Sequence, residues 1–251
     1  MSARGKMSAG GLTAAWFAFA GSSAGFGAAT PENSQTAATG SSIAPFSAHY
    51  MASWKSIEVG TSDIVLRNDA APDRYVYTWT LTARGIFRLL YSNDVVQTSW
   101  FSVIGDHVRP ERYRAVQGSA SVNIDFDWST GRARGQSENK PVDLQLTGGT
   151  QDLMSIQIEV LLDLRNGNLP NSFQILDKDE IKDFNYTQDG SARIRTALGE
   201  LDTLVVSSQR PGNSRVLRMW FAPSLGFIPV QAERYRDGKL EFALRLKTLK
   251  R

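Results

Sequence analysis

The sequence predicts an all-β or mainly β protein, a curled antiparallel sheet or open barrel with one short helical insertion. Three observations predict it. From about residue 46 onward apolar and polar side chains alternate with a period of two, residue pairs suited to tight turns recur between the alternating runs, and one segment, TQDLMSIQIEVLLDLRNG, changes to helical spacing. So many short strands in one continuous region favour closure or strong curling, which limits exposed sheet edges. Two stacked sheets would show the same local pattern.

The strands are expected near 47–55, 61–68, 74–83, 94–104, 107–117, 120–128, 131–136 and 141–146, and then near 172–177, 181–188, 191–197, 201–209, 214–221, 227–235 and 239–249. In the third, Tyr75, Tyr77, Trp79 and Leu81 fall on one side and Val76, Thr78, Thr80 and Thr82 on the other. In the sixth, Val122, Ile124, Phe126 and Trp128 alternate with Ser121, Asn123, Asp125 and Asp127. Turn signals stand at Asn93-Asp94, Thr130-Gly131, Asp189-Gly190, Leu198-Gly199 and Pro211-Gly212. The clearest hairpin joins FIPVQAERYR to KLEFALRLKTL through Asp237-Gly238, a pair that tolerates the two positive φ angles of a two-residue turn. Between the eighth and ninth strands Leu153, Ile156, Val160 and Leu161 recur at helical spacing, with Thr150 or Asp152 available as a cap and Asn166-Gly167 as a stop. A strand over 156–164 is the alternative reading of that run. GIFRLLYSND, at 85–94, reads as a helical turn or a piece of strand.

Residues 1–24 read as a cleavable signal peptide. Arg4 and Lys6 precede an apolar run centred on Leu12 to Ala20, and Ser22 with Ala24 meets the small-x-small requirement for cleavage. The run is too short, and too rich in Gly and Ala, for a membrane span. The expectation is therefore a periplasmic protein, secreted across the inner membrane and without a stable membrane span after cleavage. Residues 25–45 are almost without large apolar side chains from Thr30 on and read as a flexible lead-in. The remainder, 46–251, reads as a single mainly antiparallel β domain. Removing Arg4 and Lys6 from the 28 basic residues lowers the formal charge of +3 by two, so charge gives no argument for a nucleic-acid partner.

With no Cys, disulfides, thiolate nucleophiles and sulfur-ligated metals are excluded. Glycine-rich nucleotide loops, HExxH helices and GxSxG elbows are absent. The two histidines are His49 and His107. His107 and Glu111 share a strand face, and a bend across Arg109-Pro110 would let them exchange a proton or hold a cation; both are catalytic candidates beside the plainer reading of a polar strand surface. Asp152 is a third, with helix capping as its alternative. Asp125 and Asp127 read as solvated strand acids, and the mixed basic and aromatic pieces VRPERYRAV and SRVLRMWF as solvated strand faces. Tyr77, Trp79, Trp100, Phe126, Trp128 and Trp220 are candidates to line an apolar ligand site, with ordinary core filling as the alternative. Neither a metal ligand set nor a cofactor is assigned.

Several runs recur in a characteristic order: YMASWKSIEVG at 50–60, GIFRLLY at 85–91, QTSWFSV and RPERYR within 97–114, FDWSTGRA at 126–133, GTQDLMS at 149–155, and then LGELDTLVV, RMWFAPSLGFIPVQAE and EFALRL. Together they resemble the bacterial DUF3108 family of exported proteins, with a weaker similarity to lipoprotein-carrier-like open β-barrels. Leu153 stands where the family run more usually has Pro after Asp. The resemblance implies an envelope β-protein and carries over no catalytic set. The expectation is a non-catalytic protein with a binding or structural role, its partner a lipid or other apolar envelope molecule or an extended envelope protein. The alternative is a hydrolase or modifying enzyme acting on an envelope glycan or lipid, a reading that a pocket joining His107 to Glu111, Asp125 or Asp152 would strengthen and their dispersal over solvent faces would weaken.

Overall fold

The computed structural model describes residues 43–71 and 73–251, so the signal segment and nearly all of the lead-in lie outside the described residues. The chain runs through β1 (Phe46–Trp54), β2 (Ile57–Asn68), β3 (Arg74–Ala83), α1 (Ile86–Leu90), β4 (Val95–Ile104), β5 (His107–Gln117), β6 (Ala120–Asp127), β7 (Arg132–Ser137) and β8 (Lys140–Gln145). It continues with β9 (Gln151–Asp152), α2 (Ser155–Asn166), β10 (Ser172–Asp177), β11 (Glu180–Thr196), β12 (Gly199–Gln209), β13 (Arg215–Ala222), β14 (Ile228–Arg236) and β15 (Lys239–Lys250). All fifteen strands belong to one sheet in the order β8-β7-β6-β5-β4-β3-β2-β1-β15-β14-β13-β12-β11-β10-β9. Neighbours are antiparallel except β9 and β10, which are parallel because α2 crosses between them.

The sheet is curled and does not close into a barrel: β8 and β9 stand at its two ends and do not pair. Side chains hold the curl. At the hairpin tips Lys178 Nζ lies 2.8 Å from Glu138 Oε1, and Thr147 beyond β8 hydrogen-bonds Gln174 of β10. Within the curl Gln151 Nε2 of β9 donates to the Val108 carbonyl of β5 at 2.8 Å.

Helix α2 occupies the space that the curl encloses. Every residue from Ser155 to Leu164 is buried, as expected for a helix that is apolar around most of its circumference. Its polar exceptions meet the sheet: Gln157 Oε1 accepts from the Tyr77 hydroxyl at 3.3 Å. One apolar cluster joins α2, through Ile156, Val160 and Leu162 and the preceding Met154, to Tyr77, Phe101, Tyr113 and Ile124 of the sheet and to Phe221, Val230 and Leu244 of the other arm. At the start of α2 Asp152 Oδ1 accepts the amides of Met154 and Ser155 at 2.7 and 2.8 Å. At its end Gly167, at φ 70°, terminates the helix. Of the two residues offered as caps, Asp152 thus serves the helix start, while Thr150 binds Thr147 within the preceding loop.

The structure corrects the reading of Asp189-Gly190 as a turn. β11 continues through it as one long strand, and the register against β12 shifts between Gln188 and Gly190. Gly190 at φ 116° is suited to a bulge as well as to a turn. Asp237-Gly238 is the expected two-residue turn, with φ 50° and 73°. A different glycine is required by close approach. A Cβ at Gly135 of β7 would stand 1.9 Å from the Asn123 carbonyl oxygen of β6. Gly135→Ala is expected to lower stability by about 2 kcal/mol or more, read as a lower urea midpoint at unchanged slope; an unchanged midpoint would mean that β6 and β7 part at no cost.

Candidate functional site

His107 begins β5, just after the β4–β5 turn, and its side chain is 76% exposed. Its partner comes from α2: His107 Nδ1 lies 2.9 Å from Glu159 Oε1. The second Glu159 oxygen accepts the Val108 backbone N–H, so the carboxylate is fixed from two sides. Four residues on, one helical turn along the same face, stands Asp163. Ligand atoms of His107, Glu159 and Asp163 all fall within 4.8 Å of one another. Glu159 and Asp163 are 6% and 5% exposed. Asp163 Oδ2 is buried without a hydrogen-bond partner.

The electrostatics follow from that geometry. Burial pushes the Asp163 carboxyl up to about 7, the neighbouring Glu159 pushes the same way, and His107 opposes both. His107 is raised chiefly by its hydrogen bond to Glu159. Asp152 lies deeper, fully buried, with Ser99 Oγ donating to its Oδ2 at 2.6 Å. Burial raises it to about 6 in spite of that bond and the helix amides.

The structure places the other sequence-derived candidates elsewhere. Glu111 is 3.1 Å from the Arg74 guanidinium, and Asp125 is shared by Arg112 and Arg114. His107 therefore meets α2 and not Glu111, Asp125 or Asp152. Tyr77 and Trp79 are core residues, Trp79 Nε1 donating to Ser62 Oγ at 2.7 Å. Trp100 is partly exposed beneath the Arg112 guanidinium, and Trp220 packs partly buried against the core. Phe126 and Trp128 stack at 6.3 Å and line an open groove with Arg74, Arg109 and Glu111. A second, more apolar cleft of about 70 Å³ lies among Val95, Tyr113, Val122 and Leu153, small beside the several hundred Å³ of a typical ligand pocket. Among the described residues, α2 is buried within the curl and packs into its apolar cluster.

A feature not singled out as a site in the sequence stands at the opposite end of these strands. α1 has no buried residue, and Ile86, Leu89 and Leu90 are 71%, 84% and 72% exposed. Exposed Ile57 lies at the same end, because Arg84 N donates to the Val59 carbonyl. Glu159 and Asp163 were also missed, although two acids four apart in the apolar run SIQIEVLLDL were a readable signal.

A family model described as a protein of unknown function, DUF3108, matches residues 49–244. No curated protein matches the chain. Among solved structures, the chain is similar to a candidate exported protein with a YmcC-like fold from Bacteroides fragilis, at 8% identity and a TM-score of 0.31, over 82% of this chain and 94% of that one. It is similar also to a candidate lipoprotein from Parabacteroides distasonis, at 10% identity and a TM-score of 0.32, over 83% and 96% of the two chains.

Proposed function

Because the chain belongs to the DUF3108 family, whose description assigns no activity, we propose a function from the geometry: a non-catalytic periplasmic protein that docks on an envelope lipid surface through α1. The observation that carries this reading is a helix with three large apolar side chains in solvent and none in the core. Scattered surface leucines are ordinary, but contiguous apolar residues without a buried face mark an interaction site. The charges around them suit anionic headgroups. Lys55 and Arg84 are exposed beside Ile57 and α1, and Arg88 is paired with Asp94; Glu58 is the acid in the same stretch. Apolar side chains at the headgroup boundary with basic residues around them are the two contributions that hold a protein on an anionic leaflet.

Among the described residues no helix is long and apolar enough to cross a membrane. The burial of α2 within the curl also favours a surface contact over carriage inside the sheet. Flotation of the purified chain with phosphatidylethanolamine vesicles, with and without phosphatidylglycerol, tests the reading. Vesicle binding is expected, stronger with the anionic lipid, and Leu89→Ser/Leu90→Ser should weaken it at least about tenfold, since a buried Leu contributes ~1.5–3 kcal/mol. Equal recovery of parent and variant with vesicles would refute it, and capture of an envelope protein lost in the same variant would replace the lipid with a protein partner.

A further inference from the structure

We propose that His107, Glu159 and Asp163 form a binding site for a divalent transition-metal ion, zinc(II) being the best-matched ion. The proposal is independent of lipid docking, which uses the other end of the strands.

Three observations carry it. One imidazole and two carboxylates, whose ligand atoms lie within 4.8 Å of one another, offer the mixed nitrogen and oxygen donors that suit zinc. Asp163 Oδ2 is buried and makes no hydrogen bond, an arrangement that costs stability unless something occupies it. The charge is also unbalanced. Two acids one turn apart repel each other, and Asp163 lies in the last turn of α2, where the negative end of the helix dipole disfavours a carboxylate. His107 can offset one negative charge, and its hydrogen bond goes to Glu159. A dication among the three would neutralise both acids.

The surroundings suit a site that exchanges ligands with solvent. The Val108 N–H anchors Glu159 from the sheet and fixes the orientation of its carboxylate, as outer partners commonly do for metal-binding carboxylates. His107 is the exposed member and presents Nδ1 to Glu159. Three protein donors leave room for water or a ligand group to complete the coordination. His49 provides an internal control, since it meets Asp63 at 2.7 Å on the surface and belongs to no such three-residue group among the described residues.

Titration of the chelator-treated full chain with zinc chloride by calorimetry, with metal content measured after dialysis, decides the matter. One zinc per chain is expected. His107→Ala and Asp163→Asn should each weaken binding at least about tenfold, and His49→Ala should leave it unchanged. Manganese(II) should bind more weakly than zinc, in keeping with the general affinity order. Zinc should raise the melting temperature of the parent and not that of Asp163→Asn. His107→Ala changes only an exposed side chain, so a folding failure in the helix variant leaves the test intact. No stoichiometric binding, binding that survives both substitutions, or binding abolished by His49→Ala would each overturn the site.

Discussion

Lys182→Ala is expected to lower folding stability by about 3–5 kcal/mol, because it removes the ammonium that lies against a carboxylate buried in the core. Lys182 Nζ lies 2.9 Å from Asp177 Oδ2, and the two side chains are 7% and 1% exposed. The pair sits where β10 turns into β11: Asp177 is opposite Glu180 and Lys182 opposite Ile175. Its field reaches further, since Asp177 contributes to holding the Tyr113 hydroxyl above its ordinary range, although burial is the larger cause. The double replacement Asp177→Leu/Lys182→Met removes both charges and keeps the volume apolar, so it should recover most of the loss. Urea unfolding at pH 7 measures both. A single variant within about 1 kcal/mol of the parent, the typical value of a solvated pair, would show that water reaches this pair in the folded protein.

Asp152 gives a second large effect, and two substitutions divide it. Asp152→Ala removes the acceptor for the amides of Met154 and Ser155 and the partner of Ser99, and a loss of about 2–4 kcal/mol is expected. Asp152→Asn keeps an acceptor for the amides and discards the charge. The direction with pH follows from the raised carboxyl. A folded-state value of about 6, above the ordinary 3.8, means that the native state holds the proton more tightly than the unfolded chain. The contribution of Asp152 to stability therefore falls as pH rises from about 4 to 6 and is level above that, a loss of order 3 kcal/mol. Asp152→Asn lacks this loss. Measured from pH 4 to 7, its stability relative to the parent should climb with pH. Parallel pH profiles would contradict the burial argument.

Much of the sheet was legible because strands such as β1, β3 and β4 meet the core with one face. The spans expected at 74–83, 107–117 and 172–177 coincide with β3, β5 and β10. The two-residue β9 has no periodicity to read, and it pairs with β10 only because α2 brings it there. Strand order was not legible either, since nothing in the alternation says that β1 lies beside β15. The candidate site divides in the same way. His107 could be singled out by residue type, but local spacing offered Glu111, and a side chain on an extended strand is free to take a partner from any element packed over it. The helix that filled the curl supplied Glu159, 52 positions away. The apolar character of α1 was visible in GIFRLLY, whereas its exposure depends on the sheet leaving no surface to cover it.

The pairing of the first strand with the last has a consequence for synthesis and for truncation. Ser47 faces Lys250, so β1 and β15 lie side by side at the middle of the sheet. During translation or export β1 can acquire β2 at once, yet its other side stays open until β15 emerges. Losing a terminal strand from most sheets trims a border. Here, deletion of 239–251 would split one continuous surface into two arms, held together by the loop before β9, the helix and the contacts at the hairpin tips. β15 is thus the strand that joins the two arms.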